Sequence, residues 1–151
     1  MMQRFSRYPL AVCMSIAALT GCAQYEWKTE FAQYQAAEQE ARRSGRPMFL
    51  FYKYWLDSDS NRMLSSEVLS DPEVTALFQD SINLLVEKDF GPQYAEYMSR
   101  YNVTTPPAAV IVRPDGSYRT RQGFVPKAEF IRWAREAMSS SSTAPARGAS
   151  R

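Results

Sequence analysis

Met48-Phe49-Leu50-Phe51-Tyr52-Lys53-Tyr54-Trp55 is aromatic and almost continuously apolar, as a central strand covered on both faces would be, and Asp57-Ser58-Asp59-Ser60-Asn61 follows it with turn and cap chemistry. Upstream, Trp27, Phe31, Tyr34, Ala37 and Ala41 recur at helical spacing, and the run stops at Ser44-Gly45-Arg46-Pro47, a glycine followed by proline. Downstream, Ser70-Asp71-Pro72-Glu73 sets cap candidates before a first-turn proline, so a helix should begin there. Ile82 to Asp89 reads as a second strand. Pro92 to Tyr101 reads as a helix with Tyr94, Tyr97, Met98 and Tyr101 on one side, ending near Asn102. Ala108 to Val112 is a third strand, and the turn Pro114-Asp115-Gly116-Ser117 returns the chain as a hairpin into Tyr118 to Gln122. Pro126 to Met138 closes with a helix whose apolar face holds Phe130, Ile131, Trp133, Ala134 and Ala137. The order helix, strand, helix, strand, helix, strand, strand, helix predicts an α/β fold around a sheet of mixed direction. Ser139 to Arg151 has no large apolar residue and is expected to be a disordered tail.

Composition excludes several chemistries. The 151 residues allow one domain, and they include no histidine and two cysteines, Cys13 and Cys22. Without histidine there is no Ser/His/Asp or Cys/His catalytic pair and no imidazole metal ligand. Two thiols cannot build a four-cysteine zinc site. A net charge of +2 with 23% charged residues is too weak to argue for nucleic acid, which would want a clustered basic face, so nucleic acid is not an expected partner.

The N-terminus reads as an export and lipid-anchor signal. Arg4 and Arg7 precede an uncharged run from Leu10 to Leu19 that ends in Thr20-Gly21-Cys22. That run is about ten residues, half of what a bilayer-spanning helix needs. Leu19-Thr20-Gly21-Cys22 resembles the lipobox of bacterial lipoproteins, which implies cleavage after residue 21 and a thioether-linked diacylglycerol on Cys22. The expected organisation is a signal peptide over 1–21, a tether over 22–26, a domain over 27–138 and a tail over 139–151. The mature chain then keeps no free thiol, because Cys13 is discarded and Cys22 is lipidated. Losing Arg4 and Arg7 from 18 basic residues leaves them equal in number to the 16 acidic ones, a formally neutral mature chain. By resemblance to lipoprotein sorting, Ala23 after Cys22 favours the outer membrane over the inner one, with the domain facing the periplasm.

The segment from Trp27 to Met138 resembles the thioredoxin-like superfamily, most closely its periplasmic thiol:disulfide interchange branch. The aromatic strand ending in Trp55 is similar to the strand that leads into the active site. Ser70-Asp71-Pro72-Glu73-Val74 resembles the motif after the active-site helix, and Val103-Thr104-Thr105-Pro106-Pro107-Ala108 the segment that holds a cis-proline, with Pro107 at that position. Pro114-Asp115-Gly116 matches the hairpin turn and Gly123 the glycine before the last helix. The resemblance implies a three-layer sandwich, a central mixed sheet flanked by helices.

Where the family carries Trp-Cys-x-x-Cys-Lys, this chain reads Trp55-Leu56-Asp57-Ser58-Asp59-Ser60-Asn61-Arg62. Counting back from Ser70-Asp71-Pro72 aligns Ser58 and Asn61 with the cysteines and Arg62 with the lysine. Counting forward from Trp55 aligns Leu56 and Asp59 instead. Neither register has a thiol, and disulfide exchange needs one to attack and a second to resolve. The buried acid of many members aligns with Leu50. Pro106, before the cis-proline position, lacks the N–H that redox members use to hold a substrate strand. No cofactor, metal or catalytic residue is implied. The expected role is a lipid-anchored envelope protein whose redox-inactive domain binds or supports a protein partner.

Two other readings of the loop are weaker. Asp57, Asp59 and Asn61 match the opening of an EF-hand, but its sixth position is Arg62 in place of glycine and its twelfth is Val68, with Glu67 one residue early. A hydrolytic Ser58 or Ser60 would need Lys53, Lys88 or Glu67 as a base, and no motif supports it. Among the aromatic residues, Tyr52, Tyr54, Trp55, Tyr94, Tyr97 and Tyr101 are the candidates for a protein-binding patch beside Asp57 to Asn61.

Overall fold

A computed structural model describes residues 27–28, 31–88 and 92–139. The elements run β1 (Trp27–Lys28), α1 (Phe31–Ser44), β2 (Met48–Lys53), α2 (Ser58–Leu64), α3 (Pro72–Leu77), β3 (Ile82–Glu87), α4 (Pro92–Arg100), β4 (Ala108–Val112), β5 (Tyr118–Gln122) and α5 (Lys127–Ser139). They form one five-stranded sheet in the order β1-β3-β2-β4-β5. Strand β2 lies at its centre, parallel to β3 and antiparallel to β4.

Alternation along β2 divides the core. Met48, Leu50 and Tyr52 face α1 and α4, where Tyr34, Ala37, Ala41, Tyr94, Tyr97 and Tyr101 close over them. Phe49 and Phe51 face the other way, against Met63, Val68, Leu69, Val74, Phe78, Phe130 and Ala134. The result is the three-layer α/β sandwich with a mixed central sheet. Each buried aromatic or aliphatic side chain contributes about 1.5–3 kcal/mol relative to exposure. Leu50 is completely buried on the tyrosine face.

Two boundaries differ from the sequence expectation. Trp27 heads no helix: it and Lys28 pair in parallel with Asn83 and Leu84, so main-chain bonding to β3 overrides the helical spacing of Trp27 and Phe31. Strand β2 ends at Lys53, because the chain turns at Tyr54, whose carbonyl accepts the Asp57 N–H at 3.0 Å. Helix α1 ends as its sequence predicts: Gly45 has φ +69° and donates to the Ala41 carbonyl at 2.9 Å, a left-handed cap that glycine adopts without penalty. Asp71 caps α3, its carboxylate accepting the Glu73 N–H at 2.9 Å, with Pro72 in the first turn. Ser139, expected to open the tail, closes α5. The signal segment, Cys13, Cys22, the tether, Asp89 and residues 140–151 lie outside the described residues. No helix among the described residues is long and apolar enough to cross a membrane.

Candidate functional site

The site sits at the end of the sheet where β2 runs out, built by the β2–α2 connection, the α4–β4 connection and the stretch between β5 and α5. A helix replaces the turn expected at Ser58 to Asn61: Asp57 is the N-cap of α2, and its side chain accepts the Ser60 N–H at 2.7 Å. The first N–H groups of a helix lack intrahelical partners, and the Asp57 carboxylate satisfies one of them. Two further bonds tie the connection down. Ser60, fully buried, accepts the Tyr54 N–H on its Oγ at 3.2 Å, and the Asn61 amide donates to the Trp55 carbonyl at 3.1 Å. The loop is therefore held by its polar residues while its two apolar side chains stand out in solvent, Trp55 at 59% and Leu56 at 61% exposure.

The other walls are close by. The Pro106–Pro107 bond is cis, and Pro107 is buried. Continuing the Tyr52–Ala108 pairing by one residue sets Pro107 opposite Lys53, beside the exit of β2. Helix α4 delivers the chain there through Asn102, which takes φ +54°. The Asn102 N–H donates to the Ser99 carbonyl at 3.2 Å and the Val103 N–H to the Met98 carbonyl at 2.7 Å, a paired closure of a helix C-terminus. Gln122 then holds the following residues, its Oε1 accepting the Thr104 N–H at 2.8 Å. On the third side the Arg62 guanidinium lies 3.8 Å over the Phe124 ring, and the Val125 N–H donates to the Met63 sulfur at 3.4 Å.

Arg62 also donates to both Glu67 oxygens, at 2.6 and 3.2 Å, and to Asp59 at 3.3 Å. Those hydrogen bonds from Arg62 hold the Glu67 carboxyl below the usual carboxylate range. Lys53 pairs with Glu87 at 2.5 Å, and the Lys88 ammonium sits 4.3 Å from the Tyr54 ring centre. The three bases that a hydrolytic serine would need are thus engaged elsewhere, and Ser60 has its oxygen turned to the Tyr54 amide. Asp57 acts as a cap and Asp59 as an ion-pair partner. Among the described residues no group of three or more His, Cys, Asp and Glu is placed to hold a metal ion.

Trp55, Asp57, Ser58, Asp59, Ser60, Asn61 and Arg62 all lie on this connection or in the first two turns of α2, with Pro107 beside them. Ser58 is the first residue of α2 and Asn61 the fourth, both exposed. The aromatic patch is smaller than expected. Tyr52, Tyr94, Tyr97 and Tyr101 belong to the core over the α1/α4 face, because β2 alternation and the apolar stripe of α4 turn them inward. Burial raises the phenol of Tyr97 to about 12. Tyr54 and Trp55 remain, with rings edge to face at 6.3 Å, and Leu56 joins them. The role of Ser60 as an internal acceptor, and Phe124 beneath Arg62, had no sequence signal beyond composition.

No protein-family profile and no curated protein matches this sequence. Solved structures do. The C-terminal domain of DsbD from Neisseria meningitidis in its oxidised form superposes with a TM-score of 0.64 at 22% identity, over 74% of this chain and 98% of that one. A thioredoxin from Thermus thermophilus gives 0.60 at 26% identity, over 74% and 87%. The oxidoreductase DsbH gives 0.60 at 19%, over 88% and 94%. The chain has the thioredoxin-like fold.

Proposed function

We propose that this chain is a lipid-anchored cell-envelope protein whose thioredoxin-like domain performs no thiol–disulfide exchange and holds a protein partner through the Trp55–Leu56 loop. One observation carries the reading. The chain has Ser58 and Asn61 in the first turn of α2, where the resemblance sets the exchange cysteines, and beside them a loop tied down by Asp57, Ser60 and Asn61 that presents two large apolar side chains to solvent.

The physical reasoning has two halves. A serine hydroxyl cannot form the mixed disulfide through which exchange proceeds, and the domain holds no thiol, its cysteines being Cys13 and Cys22. Conversely, an ordered loop has already lost the conformational freedom that docking would otherwise cost, so Trp55 and Leu56 can serve as anchors. Capture of a peptide as a strand at the cis-proline is weakened, because Pro106 supplies a carbonyl and no N–H. The partner is thus held by side chains of the loop. Anchoring follows from the Leu19-Thr20-Gly21-Cys22 motif, with acyl chains contributing about 0.8 kcal/mol per buried CH₂ and Ala23 favouring the outer membrane.

A photocrosslinking side chain placed at position 56 in living cells tests the reading. A discrete envelope-protein adduct is expected. It should be lost in a Trp55→Ala background and fall to a much lower yield when the crosslinker is moved to exposed Ser66, beyond the end of α2. No adduct at position 56, or one indifferent to Trp55, contradicts it. Cys22→Ala should release the protein from the membrane fraction.

A further inference from the structure

Strand β5 is the outer strand of the sheet on the side away from β1, and its ladder shows which of its main-chain groups are in use. The Arg113 N–H donates to the Ser117 carbonyl at 2.8 Å and the Gly123 N–H to the Pro107 carbonyl at 2.8 Å, bracketing the register that pairs Val112 with Tyr118 and Ala108 with Gln122. Hydrogen-bonded and non-bonded pairs alternate in an antiparallel ladder. Ser117, Arg119, Arg121 and Gly123 therefore turn their main-chain groups toward β4, and Tyr118, Thr120 and Gln122 turn theirs outward. Among the described residues no strand pairs with that outer edge.

Side-chain placement on β5 gives the edge a sign. Tyr118, Thr120 and Gln122 share the α1/α4 face, where Tyr118 meets the Tyr101 ring at 5.3 Å, the Thr120 hydroxyl donates to the Tyr101 carbonyl at 2.7 Å and Gln122 holds Thr104. Arg119 and Arg121 share the opposite face. Arg121 pairs with Glu129 of α5, whereas Arg119 is exposed and makes no ion pair among the described residues. The edge is thus a row of three free rungs with a basic flank.

We propose that the outer edge of β5 accepts an extended acidic segment of another protein as a sixth strand, its main chain on Tyr118, Thr120 and Gln122 and its carboxylates beside Arg119 and Arg121. Strand addition of this kind draws affinity from main-chain hydrogen bonds and specificity from the alternate side chains. A second copy of β5 is disfavoured as the occupant: a two-fold pairing about Thr120 sets Arg119 directly opposite Arg121 of the other chain, and like charges so placed repel. The same basic flank that keeps copies of this chain apart attracts an acidic strand. The surface is separate from the Trp55 loop and does not rest on it.

Titration of the full-length protein with a nine-residue peptide of glutamate at alternate positions and threonine between, followed by amide NMR, tests the proposal. Saturable shifts and slowed hydrogen exchange are expected at Tyr118, Thr120 and Gln122. The same peptide with glutamine for glutamate should bind about tenfold more weakly. Thr120→Pro removes an outward donor without breaking a bond to β4, since proline is tolerated on an edge strand where the N–H faces solvent. Arg119→Glu reverses the flank at an exposed position. Each should weaken binding about tenfold or more, and Trp55→Ala should leave it unchanged. If Thr120→Pro does not fold, Arg119→Glu decides. No saturable shift at these amides, equal affinity for the glutamine peptide, or unchanged binding by Arg119→Glu overturns the proposal, as does self-association through the same amides without peptide.

Discussion

Two connections meet at one end of the sheet and are held in different ways. The α4–β4 connection retains the cis Pro106–Pro107 bond with Pro107 buried, a closed helix end at Asn102 and a clamp from Gln122. The β2–α2 connection leads into α2 with Ser58 and Asn61 in the first turn of the helix, and its apolar residues Trp55 and Leu56 face solvent. The first is held by main-chain geometry together with one side chain, Gln122, from the neighbouring strand. The second is held by side chains, and the helix needs only a cap at Asp57, which any good acceptor supplies whether or not a thiol follows. The difference teaches that the frame and the loop are specified independently: the sheet fixes where the loop lies, and three polar side chains fix its shape.

The contrast can be broken at several strengths. The frame should be the most sensitive part. Phe49→Ala empties a fully buried position stacked on Phe78 at 4.1 Å and should cost about 3–5 kcal/mol in denaturant unfolding. Ser60→Ala strips the Tyr54 N–H of its acceptor and should cost about 1–3 kcal/mol while freeing the loop, visible as faster amide exchange at Tyr54 to Asp57. Asp57→Ala should cost about 1 kcal/mol through the lost N-cap, with Asp57→Asn recovering most of it. Trp55→Ala should change stability by less than about 0.5 kcal/mol and yet remove the position-56 crosslink, which separates a docking side chain from a structural one.

The smallest effect is on pH. The Lys127 ammonium, followed by the Glu73 N–H, lowers the Asp71 carboxyl from its ordinary value, and hydrogen bonds from Arg62 do the same for Glu67. Groups with depressed folded pKa values contribute stability that is present above their unfolded pKa and lost as pH falls through the folded one. Acid titration of stability should therefore steepen below about pH 4, the ordinary carboxylate range, and flatten in Asp71→Asn. The Arg62–Glu67 pair is exposed and the Asp71–Lys127 pair half-buried, so added salt should reduce the effect, and more for Glu67 than for Asp71.

Most of the frame was legible in the sequence because its determinants are local. The almost continuously apolar run Met48 to Lys53, the Asp71-Pro72 cap and the Pro114-Asp115-Gly116 turn each specify their own conformation, and Ala108–Val112 and Tyr118–Gln122 fall where they were expected. Trp27 was misplaced because a two-residue edge strand has no periodicity of its own and exists only through β3. At the site, Asp57 was legible as a cap, while the tyrosine patch was not. Tyr52, Tyr94, Tyr97 and Tyr101 have polar tips that suggest a surface, yet the tertiary fold turns all four rings into the core, with the Tyr101 hydroxyl 2.5 Å from that of Tyr34 and the Tyr52 hydroxyl donating to the Tyr97 carbonyl. Burial of Ser60 was equally hidden, since nothing in a run of Asp, Ser and Asn marks which hydroxyl turns inward.

The central claim, that an intact frame holds a loop without exchange chemistry at Ser58 and Asn61, is tested most directly by insulin-disulfide reduction with dithiothreitol, comparing the wild type with the double variants Ser58→Cys/Asn61→Cys and Leu56→Cys/Asp59→Cys. The account predicts no reduction above the dithiothreitol background for the wild type and for the Leu56/Asp59 pair, and a gain for the Ser58/Asn61 pair alone. Turnover by the wild type, or a gain confined to the Leu56/Asp59 pair, would contradict it.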